Sequence, residues 1–154
     1  MDWRTQEQLH QALEQAFNTI FDQQMRETAL VNSQLSVKAL GFSRFKQDWF
    51  GIMITPWFMN LLQLPDHAAD RSDWIPGKQY RQQFPVGELD FTFAHSQDLG
   101  CYAQCSLFSP MFEFANQEAA IAVAEQCLQL LFIPPSSKSL TRRGLLTMGH
   151  ASEP

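Results

Sequence analysis

Residues 49–65, WFGIMITPWFMNLLQLP, constrain the fold of this chain more than any other stretch. Apart from Gly51, Thr55, Pro56, Asn60, Gln63 and Pro65, every residue there is Trp, Phe, Ile, Met or Leu, and none is charged. Such a run is a membrane span, a piece of core or a binding surface. A span needs about twenty apolar residues, and this run is shorter and is broken by Pro56, Asn60 and Gln63. A central strand cannot pass through Pro56 either, because proline has no N–H to give to a ladder. The reading left is a hairpin in which residues 49–55 pair with 58–64 and Pro56-Trp57 forms the corner.

The flanking chain completes an α+β pattern. Leu9, Leu13, Ala16, Phe17, Ile20 and Phe21 recur at helical spacing, which predicts an amphipathic helix over 3–28 with Asp2 as its N-cap. Its apolar stripe suits one face of a sheet. Residues 36–45 read as a first strand with Gly41 as a bulge, and Gln47-Asp48 as the following turn. A short strand is expected over 78–84. Residues 86–94 alternate cleanly, with Leu89, Phe91 and Phe93 on one face and Glu88, Asp90 and Thr92 on the other, the mark of a half-buried antiparallel strand. Over 101–108, Cys101, Ala103, Cys105 and Leu107 share one face and Tyr102, Gln104, Ser106 and Phe108 the other. Asn116 caps a second helix that runs to about 131 on Ala120, Val123, Ala124, Cys127 and Leu131. Pro134-Pro135 ends it. The expectation is a mostly antiparallel sheet of five or six strands with an N-terminal and a C-terminal helix packed on it. One domain spans 1–134 and a flexible basic tail spans 135–154.

Composition narrows the function. With 154 residues, 45% hydrophobic and 18% charged, the chain suits a single globular domain. Net charge is −5, and because Lys138, Arg142 and Arg143 face only Glu153 beyond residue 134, residues 1–134 carry −7. An acidic body argues against nucleic acid and suits a basic peptide. The polar start, MDWRTQEQLHQALEQ, lacks the pattern of a secretion signal, so the cytoplasm is expected. The odd cysteine count, Cys101, Cys105 and Cys127, fits buried thiols in a reducing compartment.

No catalytic constellation stands out. Cys101 and Cys105 would need further ligands to hold a metal, and His95 alone does not complete a set; small core residues is the simpler reading. Asp66, His67, Asp70 and Asp73 match no ligand spacing and read as a solvated loop. No nucleophile–base motif and no phosphate loop is evident. Hence no enzyme, cofactor or metal is expected. Glu88 and Asp90 are either a solvated sheet edge or an anionic rim for an incoming arginine. Thr141-Arg142-Arg143-Gly144-Leu145-Leu146 has the pattern of a twin-arginine export signal at the wrong end of a chain.

Longer strings carry a family resemblance. Gly41-Phe42, Trp49, Gly51, the run ITPWFMN over 54–60, Leu64-Pro65, Phe84-Pro85, Gly87-Glu88 and above all SLFSPMFEF over 106–114 resemble the HybE/HupJ family of nickel–iron hydrogenase assembly chaperones. The resemblance implies a cytoplasmic accessory factor. It would hold the hydrogenase small-subunit precursor, which carries a twin-arginine signal peptide, and by extension the large subunit, delaying export until assembly is complete. The competing reading is a scaffold for the large subunit that ignores the signal peptide. Some members carry a rubredoxin-like module, but this chain lacks the paired CxxC motifs for one. The surface expected to meet the client joins the Pro56 corner to the loop after Phe108. It comprises Trp57, Phe58, Met59, Phe108, Ser109, Pro110, Met111 and Phe112, with Glu88, Asp90 and Glu113 for charge. Arg142, Arg143, Leu145 and Leu146 would be a self-binding mimic of the client.

Overall fold

The computed structural model describes residues 5–65 and 72–134. Helix α1 (Gln6–Ile20) starts at Thr5, whose hydroxyl accepts from the Gln8 N–H at 3.1 Å. Thr5 therefore takes the capping role expected of Asp2, which lies outside the described residues. The helix then widens into one π-helical turn, Phe21–Met25. Among the described residues six strands follow: β1 (Lys38–Phe45), β2 (Asp48–Ile54), β3 (Met59–Leu64), β4 (Gln79–Phe84), β5 (Gly87–Ser96) and β6 (Gly100–Phe108). Helix α2 (Gln117–Leu131) comes after the strands, and the Asn116 side chain accepts from Ala119 N at 2.9 Å, as the cap was read.

The strands form one antiparallel sheet in the order β1-β2-β3-β6-β5-β4. The expected hairpin is its centre: β2 pairs with β3 from Trp49↔Leu64 to Ile54↔Met59. Every residue of both strands is buried. Phe50, Ile52, Ile54, Met59 and Leu61 point into a core shared with Ala120, Ala124, Cys127 and Leu131 of α2. Trp49, Met53, Leu62 and Leu64 point into a second core shared with Leu9, Leu13, Ala16 and Phe17 of α1. The two helices thus cover opposite faces. A strand with both faces buried has no polar side, which is why residues 49–65 read as a continuous apolar run.

The outer strands behave differently. In β5, Leu89, Phe91 and Phe93 are buried while Glu88 and Asp90 are exposed. The sheet is rolled, so that its two edges approach. Phe45 of β1 and Phe84 of β4 stack with centroids 5.2 Å apart, and Phe84 meets Phe50 edge-on at 5.1 Å. The C-terminal end of α2 seals this seam. Val86 N donates to Leu131 O at 3.2 Å, and Phe132 packs on both Phe45 and Phe84.

Two local details depart from the periodicity. The β1–β2 turn is Lys46-Gln47 rather than Gln47-Asp48, and both residues have positive φ, 52° and 77°. In β6, the register with β3 shifts between Met59↔Phe108 and Asn60↔Ser106. The extra residue, Leu107, rotates Phe108 into the α2-side core beside Leu107, not onto the Tyr102 face. Gly41, at φ +67°, sits in the expected bulge of β1, where the register with β2 shifts between Leu40 and Ser43. Among the described residues no helix is long and apolar enough to cross a membrane.

Gly51 is where the packing is tightest. A Cβ there would overlap the Phe42 ring and lie 2.8 Å from Phe42 Cα, a backbone atom that cannot rotate away. Gly51→Ala is expected to destabilise the protein by about 1–3 kcal/mol in denaturant unfolding. Gln47→Gly, which relieves a left-handed backbone, should stabilise it by about 1 kcal/mol in the same measurement.

Candidate functional site

The corner between β2 and β3 is built around one hydroxyl. Thr55 Oγ1 accepts from Trp57 N at 3.2 Å and from Phe58 N at 2.9 Å. Thr55 N also donates to Phe58 O at 2.8 Å. A threonine bonded this way mimics a backbone turn, which explains the local shape of TPWF. Pro56 is buried, while Trp57 and Phe58 are half-buried. Trp57 stacks on Phe21 of the π-helical turn (6.1 Å, 6°), and Phe58 meets Phe17 of α1 edge-on at 5.7 Å. The ring contacts continue from Phe17 to Tyr102 at 6.5 Å. There a polar groove of about 600 Å³ lies between α1 and the β5–β6 turn, lined by Thr19, Gln23, Gln24, His95 and Asp98 among others.

The loop after β6 is turned half inward. Met111 and Phe114 are buried in the α2-side core, with Phe114 edge-on to Phe108 at 5.2 Å. Ser109, Pro110 and Glu113 are exposed, and Phe112 is 55% exposed. The Ser109-Pro110 peptide is cis.

A single side chain ties this loop to the corner. Asn32, 9% exposed, donates from Nδ2 to Met111 O and to Phe114 O, both at 2.9 Å. Its backbone N–H donates to Pro56 O at 2.8 Å, and its Oδ1 accepts from Gln34 N at 3.0 Å. Three segments distant in sequence meet at one amide. Within two residues of these bonded groups along the chain lie Leu30, 56% exposed, Phe112, 55% exposed, and the half-buried Trp57. They are the apolar groups of a candidate patch on a frame fixed by hydrogen bonds.

The structure brings together Trp57, Phe58, Ser109, Pro110, Phe112 and Glu113. It buries Met59 (0%), Phe108 (3%) and Met111 (0%), so the apolar contact expected of Met59 and Met111 is not available on this surface. Met59 is inward because it belongs to a strand covered on both faces, Met111 because its carbonyl is held by Asn32, and Phe108 because of the bulge. It also sets Glu88 and Asp90 apart. Glu88 pairs with Gln83, whose carbonyl accepts from Lys46 Nζ at 3.0 Å, so it lies near the opposite end of β2. Seven residues of β2 put about 20 Å between that end and the corner. Asp90 faces Arg81 across the ladder, with Nε to Oδ1 at 3.2 Å. Arg142, Arg143, Leu145 and Leu146 lie outside the described residues. Sequence reading missed Asn32 and Leu30 and placed Phe21 only in the apolar stripe of a helix; nothing local marks Asn32 as a staple.

Neither titration nor metal chemistry marks the site. Burial pushes the Cys127 thiol up to about 11 and raises the Tyr102 hydroxyl. Cys105 and Cys127 are buried, Cys101 is partly buried, and all three are free. Among the described residues no group of three His, Cys, Asp or Glu is placed to hold a metal ion.

The family model for the nickel–iron hydrogenase assembly chaperone HybE matches residues 8–148. The chain belongs to this family. The described role of the HybE family, chaperoning assembly, is not an enzymatic one. Among relatives, the hydrogenase expression/formation protein HupJ of Bradyrhizobium diazoefficiens is 41% identical over 128 residues, covering 83% of this chain and 74% of that one. A protein named as the probable rubredoxin HupJ of Rhodobacter capsulatus is 37% identical over 121 residues, 79% of this chain but 44% of that longer one. The solution structure of HybE from Escherichia coli has the same fold: the TM-score is 0.64 at 20% identity, over 86% of this chain and 87% of that one. The HybE match runs past α2 and includes residues 141–146.

Asn32 gives a direct test of how the patch is held. Asn32→Ala removes the side-chain donor to Phe114 O and one of the two donors to Met111 O, which also accepts from Phe114 N at 3.2 Å, and should cost about 1–3 kcal/mol in denaturant unfolding. Asn32→Asp should cost more than Ala, since it aims carboxylate oxygens at the Met111 and Phe114 carbonyls. If Asp proved milder than Ala, the staple would not act through its amide donors.

Proposed function

We propose that this HybE-family protein holds the small-subunit precursor of a nickel–iron hydrogenase by its twin-arginine signal peptide, in the cytoplasm, and so delays export until assembly is complete. The observation that carries the proposal is the patch beside Asn32, where Leu30 and Phe112 are more than half exposed on a frame held by buried hydrogen bonds. A signal peptide is basic and then apolar. The patch offers apolar contact at little ordering cost, because the frame is already fixed. Trp57, Phe58, Ser109, Pro110 and Phe112 supply this contact, and Glu113 supplies a carboxylate. The acidic body, −7 over residues 1–134, attracts the basic part over a longer range.

The competing reading is a scaffold that binds the hydrogenase large subunit and ignores the signal peptide. A pull-down of the small subunit with and without its signal separates the two: equal recovery favours the scaffold. For the patch itself, Phe112→Ala should leave stability within about 0.5 kcal/mol, as expected of an exposed side chain. It should weaken binding of a synthetic signal peptide by roughly tenfold, and added salt should weaken it further. Unchanged affinity in Phe112→Ala would remove the patch from the interface.

The tail falls under the same reading. Arg142, Arg143, Leu145 and Leu146 repeat the client pattern and lie within the family match. On this proposal they compete with the client as a tethered copy. Deleting residues 136–154 should therefore tighten signal-peptide binding, and no change would sink the idea.

A further inference from the structure

The π-helical turn that follows α1 holds a guanidinium against an aromatic ring. Hydrogen bonds from residue i+5 to residue i close this turn, and Arg26 N donates to Phe21 O at 2.8 Å. In an α-helix, at 3.6 residues per turn, residue i+5 lies about 140° around the axis from residue i. The wider turn brings it back, and the Arg26 guanidinium carbon lies 4.9 Å from the centre of the Phe21 ring. The same guanidinium pairs with the carboxylate of Asp22. Phe21 in turn stacks on Trp57 of the β2–β3 corner at 6.1 Å and 6°. The guanidinium is therefore one ring removed from the corner.

A carboxylate beside an aromatic face suits a planar cation with several N–H groups, which bonds through its edge and stacks through its face. An ammonium is more strongly hydrated and has no face to stack. Here the occupant belongs to the chain itself, and it is held loosely. The side chains of Arg26 and Asp22 are 59% and 57% exposed. At such sites an ion pair four residues apart on a helix and a cation–π contact are both weak. A guanidinium arriving from outside can make the same two contacts, and the chain that carries it can add contact on Trp57, which is half-buried.

We infer that Phe21 and Asp22 form a receiving station for an arginine side chain of an incoming chain, and that Arg26 is a built-in placeholder which that arginine displaces. The inference deepens the client reading above and rests on it for the identity of the incoming chain, since a twin-arginine signal peptide brings such side chains. A seated placeholder lowers the apparent affinity for every client by the fraction of molecules it occupies. It also sharpens the choice of client, because a segment without a guanidinium must leave Arg26 where it is.

The test uses the full-length protein, its Arg26→Gln variant and the double variant Arg26→Gln, Asp22→Asn. Each is also made with Arg142→Gln and Arg143→Gln, so that the tail cannot stand in for Arg26. The probes are N-acetyl-arginine amide and N-acetyl-lysine amide. Nitrogen-edited NMR follows the Trp57 indole N–H, and melting curves check that the fold persists. In Arg26→Gln the arginine probe should move the Trp57 signal at a concentration roughly threefold to tenfold lower than in the wild type. The lysine probe should gain nothing, and the double variant should lose the improved response. An arginine response equal in the wild type and Arg26→Gln, or absent from both, overturns the inference, as does an equal gain for lysine. A synthetic twin-arginine signal peptide forms a separate arm, and its binding should tighten in Arg26→Gln by a similar factor. If the peptide fails to bind while the arginine probe shows the gain, the signal-peptide reading fails and the station stands. If the peptide binds the wild type and Arg26→Gln equally well, the client reading stands and the inference falls.

Discussion

Burial of β2 and β3 on both faces is the constraint from which the rest of the architecture follows. Each strand sends alternate side chains into two separate cores, Phe50, Ile52 and Ile54 to one and Trp49 and Met53 to the other. An apolar hairpin of that kind is stable only if something apolar covers each side. One amphipathic helix precedes it and one follows the sheet, and they take opposite faces. The small residues of α2, Ala120 and Ala124, allow close approach on one face, while Leu9, Leu13 and Phe17 of α1 fill the other. The rolled β4–β5 edge completes the α2-side core, because a single helix is too narrow to cover six strands.

How much of this was legible depended on whether the determining contacts were local. The β2–β3 pairing was legible because Pro56 leaves one place for the corner, and the observed register runs from Trp49↔Leu64 to Ile54↔Met59. The alternation in β5 and the Asn116 cap were legible because period and capping are properties of neighbouring residues. The burial of Met59, Phe108 and Met111 was not. It depends on a bulge at Leu107 and on a hydrogen bond from Asn32, which is 79 residues from Met111. The separation of Glu88 and Asp90 from the corner was equally hidden. Sharing an exposed strand face says nothing of which end of a rolled sheet that face occupies, and the roll is set by Phe45 meeting Phe84 across the sheet. The motif SLFSPMFEF marks the right loop, yet four of its five Leu, Met and Phe residues serve the core.

That division of labour within one loop has a physical logic. A surface that receives an extended peptide must expose apolar groups, and such groups tend to collapse inward or recruit unwanted partners. Anchoring Met111 and Phe114 in the core, with their carbonyls held by Asn32, leaves Phe112 no inward route between them. Thr55 does the same for Trp57 by fixing the corner through its hydroxyl. Exposed apolar groups on a rigid frame lose little entropy when a partner arrives. Fixation by side-chain amide and hydroxyl, rather than by further apolar packing, keeps the exposed groups out of the core.

The two ends of β2 are held in different ways. At its start, Gln63 Nε2 donates to Asp48 Oδ2 at 2.7 Å, a polar bond between two buried side chains of an otherwise apolar hairpin. At its end, Ile54 leads into the corner, where the Thr55 hydroxyl accepts from the N–H groups of Trp57 and Phe58. A slip of one residue between β2 and β3 would turn Gln63 to the other face of the sheet and away from Asp48. Apolar burial is non-directional and does not by itself choose between registers in a hairpin that is apolar on both faces. The Asp48–Gln63 bond at one end and the Thr55 corner at the other therefore fix the register that the apolar side chains leave open.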